Sequence, residues 1–236
     1  MAFALTLVQI DEALKQTGCA ICRLTASAVR KSAEGFLYEN TLDPQVREPI
    51  LKSRGFCAEH TRLLAAIELS TDGSALGLNY IYEQLSRIVA DELTQPAMVK
   101  RPSLLRKRTE SFPPCPFCEL ADESARNYLN ALFEELEKET SPTRATYAQS
   151  NGLCYSHLRG GLEEFGGSFP HAAAFLVEGT RDRLLTGSTR MKEYIRKHNW
   201  YYRDEKISPE EATAWRAALA FFTGLPEEKF DHKFEK

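Results

Sequence analysis

The sequence predicts an all-α protein built from duplicated helical-hairpin units that form a helical bundle, each unit pinned by a Cys3His metal site. Three observations predict this fold. Apolar residues recur every three or four positions along most of the 236 residues, and no segment alternates convincingly with the period of two that marks a half-buried strand. Six cysteines and two histidines form one spacing pattern that occurs twice, which indicates an internal duplication.

The composition excludes several classes of protein. Hydrophobic residues make up 43% and charged residues 27%, as in ordinary soluble globular proteins. No apolar stretch approaches the roughly 20 residues that a membrane-spanning helix needs, and residues 1–10 lack the basic start of a secretory signal. A formal net charge of −3 does not favour binding of nucleic acid or anionic lipid over the whole surface. We therefore expect a cytoplasmic protein without membrane attachment.

The cysteines fall into two equivalent sets. The sets are Cys19-x2-Cys22-x34-Cys57-x2-His60 and Cys115-x2-Cys118-x35-Cys154-x2-His157. Their flanks match as well, since residues 18–24 resemble 114–120 and residues 54–60 resemble 151–157. The sequence therefore predicts a first metal-binding repeat over residues 1–95 and a second over residues 115–198.

The spacing within each set is suited to metal binding. At a helix start, residues i and i+3 share one face about 5–6 Å apart, so two such pairs can converge on one ion as a tetrahedral Cys3His group. Gly55 and Gly152 each stand two residues before the third cysteine, where a left-handed turn is expected. We expect the ligands of each repeat to hold one ion, which would pin the two open ends of that repeat's α-hairpin.

The metal itself is less constrained than the ligands. Disulfides would suit a secreted chain, and a thioredoxin-like redox pair would need a βαβ setting, so neither fits this helical pattern. Four protein ligands leave no open coordination position, so a single ion would be structural, and zinc is the default. The alternative is a [4Fe–4S] cluster held by three cysteines and one histidine in each set.

The helical pattern gives each repeat the same order of elements. A long helix, a proline turn and a short return helix precede the Cys-x-x-His pair, which starts a further helix. These helices are expected over residues 22–40, 44–53 and 57–69 in the first repeat and over residues 117–138, 143–150 and 157–164 in the second. Longer helices are expected over residues 75–93 and 170–197. A last helix, capped by Ser208 with Pro209 at its first position, is expected to end near Gly224.

Two segments outside the metal motifs could contact partners. The Pro-containing linker over residues 96–114 is best interpreted as a solvated connection, although its cations could also bind a phosphate or a partner. These cations are Lys100, Arg101, Arg106, Lys107 and Arg108. Residues 199–236, the C-terminal helix and tail, begin with Trp200, Tyr201 and Tyr202, aromatic side chains of the kind that anchor partners. The sequence favours an unknown protein partner over nucleic acid.

The sequence also resembles a family of uncharacterised bacterial proteins, a domain of unknown function. The resemblance rests on Cys-x-x-Cys-Arg-Leu at residues 19–24, Leu-Tyr-Glu-Asn at 37–40, Asp43-Pro44 and Arg-Gly-Phe-Cys-x-x-His at 54–60. In the second half it rests on Cys-Pro-x-Cys at 115–118 and Gly-Leu-Cys-x-x-His at 152–157. This resemblance implies metal sites and no known activity.

Motifs for catalysis are absent from the sequence. It contains no Gly-rich phosphate loop, His-Glu-x-x-His zinc motif or Gly-x-Ser-x-Gly nucleophile elbow. We therefore expect a non-enzymatic interaction or regulatory module with two structural zinc ions. The alternative is a redox-responsive, oxygen-responsive or electron-transfer protein that carries two [4Fe–4S] clusters.

Overall fold

The computed structural model describes residues 2–71, 73–94 and 112–230. Within those ranges every regular element is helical and no strand occurs, which confirms the all-α prediction. The α-helices are α1 (Ala2–Leu14), α2 (Ala20–Gly35), α3 (Pro44–Lys52), α4 (Ala58–Thr71), α5 (Leu76–Leu93), α6 (Pro116–Glu137), α7 (Pro142–Gln149), α8 (Tyr155–Phe165), α9 (Pro170–Lys197) and α10 (Pro209–Thr223). A π-helical turn (Phe36–Asn40) follows α2, and 3₁₀ turns span Trp200–Tyr202 and Glu227–Phe230.

Helices α3, α7 and α10 begin at side-chain caps, and α10 ends at a glycine. The Asp43 carboxylate accepts a 2.8 Å hydrogen bond from the Gln45 backbone N–H at the start of α3, and Ser141 caps α7 in the same way. Ser208 and Glu211 form a reciprocal capping box at the start of α10. Gly224 ends α10 in the left-handed conformation, with φ 75°.

Helix α1 is an element that the sequence reasoning did not predict. Its signal is the spacing of Ile10, Ala13 and Leu14, which lie on one helical face and are all at least 97% buried. These residues join the larger of the two hydrophobic clusters, which also contains Phe133 and Leu176.

The contacts divide the chain into two compact units. Unit 1 comprises Met1–Thr25 and Ser124–Lys236, and unit 2 comprises Ala26–Glu123. These units do not coincide with the repeats predicted over residues 1–95 and 115–198, because α2 and α6 each continue from one unit into the other. The predicted boundaries follow the duplication of the sequence, whereas the units follow packing.

Each unit has its own hydrophobic core. The core of unit 1 is built on α1, α6 and α9 with the start of α2 and a tyrosine of α7, and α8 packs against it. The core of unit 2 is built on α2 to α5 with the start of α6. In the part of the chain that the structure describes, no helix combines the length and the apolar character needed to cross a membrane.

Candidate metal centres

The eight predicted ligands come together in two groups of four. We call the group of Cys19, Cys22, Cys154 and His157 centre A and the group of Cys57, His60, Cys115 and Cys118 centre B. In each group the ligand atoms all lie within 4.8 Å of one another, as residues that could hold one metal ion would. Centre A lies within unit 1 and centre B within unit 2.

The assignment of ligands within each repeat is wrong. We expected Cys19 and Cys22 to share an ion with Cys57 and His60, but each Cys-x-x-Cys pair lies beside the Cys-x-x-His pair of the other repeat. Each repeat therefore contributes one pair of ligands to each centre. Neither ion would hold together the two ends of a hairpin within a single repeat.

The lengths of the helices explain this exchange. Helix α2 and the π-helical turn carry the chain about 27 Å from Cys22, whereas the nine residues of α3 return it by only about 13 Å. The residues after α3 do not extend to close the gap, since the Ser53, Arg54 and Gly55 N–H groups bond back to carbonyls of α3. In the second repeat α6 has 22 residues and its return helix α7 only 8.

Each of the four ligand pairs occupies the start of a helix. The first cysteine of each pair directly precedes α2, α4, α6 or α8, and its carbonyl accepts a backbone N–H from the first turn. The second ligand is then the third helical residue, on the same face. Two helix N-termini therefore point at each group of sulfurs, and their positive dipole ends favour the thiolate form that binds metal.

The atoms of centre A are closely spaced and well enclosed. The His157 Nδ1 atom lies 3.6 Å from Cys19 Sγ, 3.3 Å from Cys22 Sγ and 3.2 Å from Cys154 Sγ. Cys22 Sγ and Cys154 Sγ are 3.6 Å apart. Cys19 and Cys154 are buried, and the other two ligands are partly buried.

Centre B repeats this arrangement with the other four ligands. The His60 Nδ1 atom lies 3.2 Å from Cys57 Sγ, 3.5 Å from Cys115 Sγ and 3.5 Å from Cys118 Sγ. The Cys57 and Cys118 sulfurs are 3.7 Å apart. Nδ1 is thus the histidine nitrogen that faces the sulfurs in both centres.

The thiols of the two centres have strongly perturbed pKa values. Contact with Cys19 and Cys22 holds the pKa of Cys154 far below its usual range, while the bond to Cys154 raises the pKa of Cys22. Burial acts to lower the pKa of His157, but hydrogen bonds with Cys154 and Cys19 and the charge of these two sulfurs together outweigh this and raise it to about 10. Negative charge therefore collects in centre A, where a bound cation could replace the shared protons.

Centre B shows the same opposition between neighbouring sulfurs. Burial, together with contact with Cys57, raises the pKa of Cys118 to about 12. Burial also acts to raise the pKa of Cys57, but the backbone N–H of His60 and contact with Cys118 outweigh it and lower that pKa. A bound cation could therefore replace the shared protons of centre B in the same way as those of centre A.

The two glycines before the third cysteines behave as predicted. Gly55 has φ 99° and Gly152 has φ 76°, which is the left-handed region that favours glycine. Each places the cysteine two residues later at its helix start. The prediction of a left-handed turn at these positions is confirmed.

Gly224 is a residue of the site that the sequence reasoning missed. It ends α10 directly over centre A, where a Cβ atom on this residue would lie 3.0 Å from Cys22 Sγ and 3.6 Å from Cys154 Sγ. The following 3₁₀ turn adds to the enclosure, because the Asn151 amide donates to Glu227 and accepts from the Gly18 N–H. The role of Gly224 in ending α10 was predictable from the sequence, but the contact of Gly224 with the cysteines depends on tertiary packing.

Aromatic rings enclose centre B. Phe117, in the first turn of α6, meets the His60 ring edge to face at 5.8 Å and stacks on Phe56 at 5.3 Å. Phe36 of the π-helical turn completes the cluster through edge contacts with both phenylalanines. Three aromatic rings of unit 2 thus enclose centre B, whereas a glycine and a C-terminal turn enclose centre A.

The predicted partner-binding residues are not part of either centre. Trp200 and Tyr201 are 66% and 84% exposed and stack on each other at 5.4 Å, and Tyr202 is 40% exposed. Arg203 lies over the Trp200 ring at 4.9 Å. The basic linker residues Lys100, Arg101, Arg106, Lys107 and Arg108 lie outside the described residues.

Comparison with known proteins shows the family. A family model described as a family of unknown function (DUF6062) matches residues 1–208, and the chain belongs to this family. An uncharacterized 23.9 kDa protein in the xynA 3' region of Caldicellulosiruptor sp. (strain Rt8B.4) is 25% identical over 214 residues, which cover 90% of this chain and 98% of that protein. No solved structure matches the chain. The resemblance to an uncharacterised family is thereby confirmed.

Proposed function

We propose that this DUF6062 protein is a cytoplasmic, non-enzymatic module in which centres A and B each hold one structural zinc ion. The observation that carries the proposal is the spacing of the ligand atoms. For Zn–S bonds of about 2.3 Å and Zn–N bonds of about 2.0–2.1 Å, a tetrahedron has S–S edges of about 3.8 Å and S–N edges of about 3.5 Å. The S–S distances of 3.6 and 3.7 Å and the S–N distances of 3.2 to 3.6 Å fit this geometry.

The same distances favour a single ion over a cluster. In a [4Fe–4S] cubane each ligand binds a different iron, so the ligands stand around a core of eight atoms. Sulfurs that are 3.6 or 3.7 Å apart are closer together than ligands of different irons on such a core, which supports a single ion. The iron–sulfur alternative would need the ligands of both centres to stand further apart.

A structural role is supported by the distance along the chain that each ion would bridge. Centre A joins residues 132 to 138 positions apart, and centre B joins residues 55 to 61 positions apart. Closing long loops removes much of the conformational freedom of the unfolded chain. Four protein ligands also complete a tetrahedron, which leaves no coordination position for a substrate. A reducing cytoplasm would keep the six cysteines available as thiolates.

The test is anaerobic expression followed by metal analysis and an absorbance spectrum on the same sample. The proposal predicts two zinc ions per chain and a colourless protein. A brown protein with iron and sulfide in equal amounts would replace it with the cluster function. Less than one zinc per chain without iron would contradict metal binding altogether.

We further propose the exposed aromatic group of Trp200, Tyr201 and Tyr202 as the surface that binds a protein partner. Stacking between rings and the cation over Trp200 hold these side chains in place, so little freedom is lost on binding. Replacing Trp200 and Tyr201 by alanine should abolish co-purification of a partner from the native host, whereas Tyr38→Ala, which removes a side chain 87% exposed in unit 2, should not. Equal recovery from both variants would contradict this assignment.

The cations of the basic linker are a second proposed contact, to a phosphate group or an acidic partner. Neutralising Lys100, Arg101, Arg106, Lys107 and Arg108 should weaken such binding and its dependence on salt. If the neutralised variant binds like the parent protein in both low and high salt, the linker serves only as a solvated connection.

A further inference from the structure

A cavity of about 710 Å³ lies within unit 1, between α9 and α10 and beside centre A. Its floor is the segment from Ser150 to Cys154 that leads into α8, and Cys19 also lines it. Its volume falls within the range of about 300–1,000 Å³ that is usual for small-molecule sites. Neither the zinc proposal nor the aromatic surface uses this space.

Small side chains on the facing helices create the cavity. Gly187 and Ser188 of α9 face Ala214, Ala217 and Ala218 of α10 across it. Protein interiors are normally packed to the density of organic crystals. A Cβ atom at Gly187 would meet nothing within 4 Å, so the space here is open.

One end of the cavity carries a cation without a counter-ion. Arg183 forms no ion pair with any residue that the structure describes, and its Nη2 atom is buried without a hydrogen-bond partner. The guanidinium lies over the Tyr147 ring at 5.3 Å, which fixes its position. Gly152 admits it, since a Cβ there would come within 2.6 Å of Nη2. Thr180, which is 94% buried, adds a hydroxyl beside the Tyr147 phenol; burial raises the pKa of that phenol, and its hydrogen bond with Thr180 acts to lower it.

The acidic groups that also line the cavity are engaged elsewhere. Asp182 lies 3.5 Å from Arg181 in an exposed ion pair. Glu227 accepts a 3.0 Å hydrogen bond from the Asn151 amide. Arg190, a second cation on the lining, lies near Glu210, whose pKa is lowered mainly by hydrogen bonds with its own backbone N–H and with Ser208 and to a smaller extent by Arg190. The unpaired guanidinium of Arg183 therefore sets the charge that the cavity selects, and it selects an anion.

Most of the remaining lining is apolar. Leu184 and Met191 of α9 and Phe221 and Phe222 of α10 supply large apolar side chains to it. Phe222 is 63% exposed, which places it at the opening. A compact, strongly hydrated anion such as phosphate would gain nothing from these side chains and would lose water to reach Arg183. A carboxylate joined to an apolar body matches both the guanidinium and the apolar side chains of the lining. A guanidinium binds a carboxylate through two parallel hydrogen bonds.

We propose that this cavity binds a small carboxylic acid with an apolar body, with the carboxylate on Arg183 and Thr180 and the body between α9 and α10. The site is built from residues of unit 1 alone and does not depend on which metal fills centre A. The bound acid would supply a hydrogen-bond acceptor for Arg183 Nη2. Its apolar body would fill the space beside Gly187 and the alanines of α10.

The experiment measures displacement of a fluorescent fatty acid, cis-parinaric acid, from the metal-loaded full chain. The competitors are decanoate and 1-decanol, which share an apolar body and differ in charge, and inorganic phosphate. We expect decanoate to displace the probe at a concentration at least ten-fold lower than 1-decanol, and phosphate not to displace it. Equal displacement by decanoate and 1-decanol would overturn the role of Arg183.

Matched variants separate the two ends of the site. With each competitor's affinity corrected for the variant's own probe affinity, Arg183→Met should weaken both the probe and decanoate at least ten-fold and leave 1-decanol unchanged. Lys192→Met, which alters an exposed cation of the same helix outside the lining, should bind like the parent protein. Gly187→Leu should abolish probe binding by filling the cavity, and Gly160→Leu, on α8 and away from the lining, should not. Circular dichroism melts check folding, and the two competitors still test the site in the parent protein if Arg183→Met unfolds. Full probe binding by Gly187→Leu would overturn the proposal.

Discussion

Centres A and B have the same donors at the same helix positions and differ in what encloses them. In both, a histidine Nδ1 lies within 3.6 Å of three cysteine sulfurs, and all four contributing helices begin at a cysteine. Centre A is closed by Gly224 and the turn after it, from the C-terminal part of the chain that has no counterpart in the first repeat. Centre B is closed by three phenylalanine rings of unit 2.

This difference separates two contributions to the sites. The duplicated motifs supply the ligands and the helix starts, which are alike in both centres. The enclosure comes from residues that the two repeats do not share, so solvent access and metal release can differ although the ligands are the same.

The largest effect is expected from removing one ligand. Cys154→Ser should lose the ion of centre A alone and Cys118→Ser the ion of centre B alone, each at a cost of several kcal/mol in the free energy of unfolding. Because the loop closed at centre A is about twice as long, its loss should cost about 0.6 kcal/mol more. Metal analysis and urea unfolding measure both effects. His171→Asn, which alters an exposed histidine outside both centres, should keep two ions. Loss of both ions from either cysteine variant would mean that the centres are not independent.

A smaller effect, confined to centre A, is expected from Gly224→Ala. The new methyl group would lie 3.0 Å from Cys22 Sγ at a residue with φ 75°, and we expect a cost of about 2 kcal/mol together with faster release of one ion to a chelator. Gly73→Ala is the matched control, since it has φ 71° and no atom within 4 Å of the new Cβ. That variant should show backbone strain with unchanged metal release. Equal release rates in the two variants would show that Gly224 does not control metal release from centre A.

The corresponding change at centre B is Phe117→Leu. It removes the ring that contacts His60 and Phe56, and we expect a cost of about 1.5 kcal/mol, less than the roughly 3–5 kcal/mol for truncation of a buried phenylalanine to alanine. One ion should leave faster, and single-ligand variants of centre A identify it as that of centre B. Phe133→Leu, in the core of unit 1, should lower stability by a similar amount while both release rates stay as they were. A faster release from centre A in Phe117→Leu would contradict the separation of the two enclosures.

The smallest effect is expected from Ser208→Ala. This substitution removes the capping box at the start of α10 and should cost about 1 kcal/mol. Because α10 ends over centre A, its weakening should speed metal release from that centre slightly and leave centre B unchanged. Chelator kinetics on single-centre variants measure the difference. An effect of the same size at both centres would show that the helix stabilises the whole chain and has no particular role at centre A.

Much of the fold was predictable because local signals determine it. Proline and capping residues such as Pro44, Ser141 and Ser208 mark the helix starts, and the spacing of apolar residues marks their lengths. The eight candidate ligands and the left-handed glycines were likewise predictable, since both depend on positions within a few residues of each other.

The pairing of the ligands could not be read from the sequence. The nearly equal separations within the two repeats favour local pairing, and the actual pairing depends on how far α3 and α7 return the chain toward the starts of α2 and α6. The turn at Ser53 to Gly55, closed by hydrogen bonds to α3, removes the reach that an extended segment would have given. The contact of Gly224 with centre A is also a product of tertiary packing.

The most direct measurement of the crossed arrangement is the zinc content of two double variants purified side by side. Cys19→Ser with Cys154→Ser removes two ligands of centre A, and Cys19→Ser with Cys57→Ser removes one ligand from each centre. The crossed arrangement predicts one zinc ion per chain in the first variant and none in the second. One ion in the variant with Cys57→Ser and none in the variant with Cys154→Ser would show instead that each repeat binds its own ion.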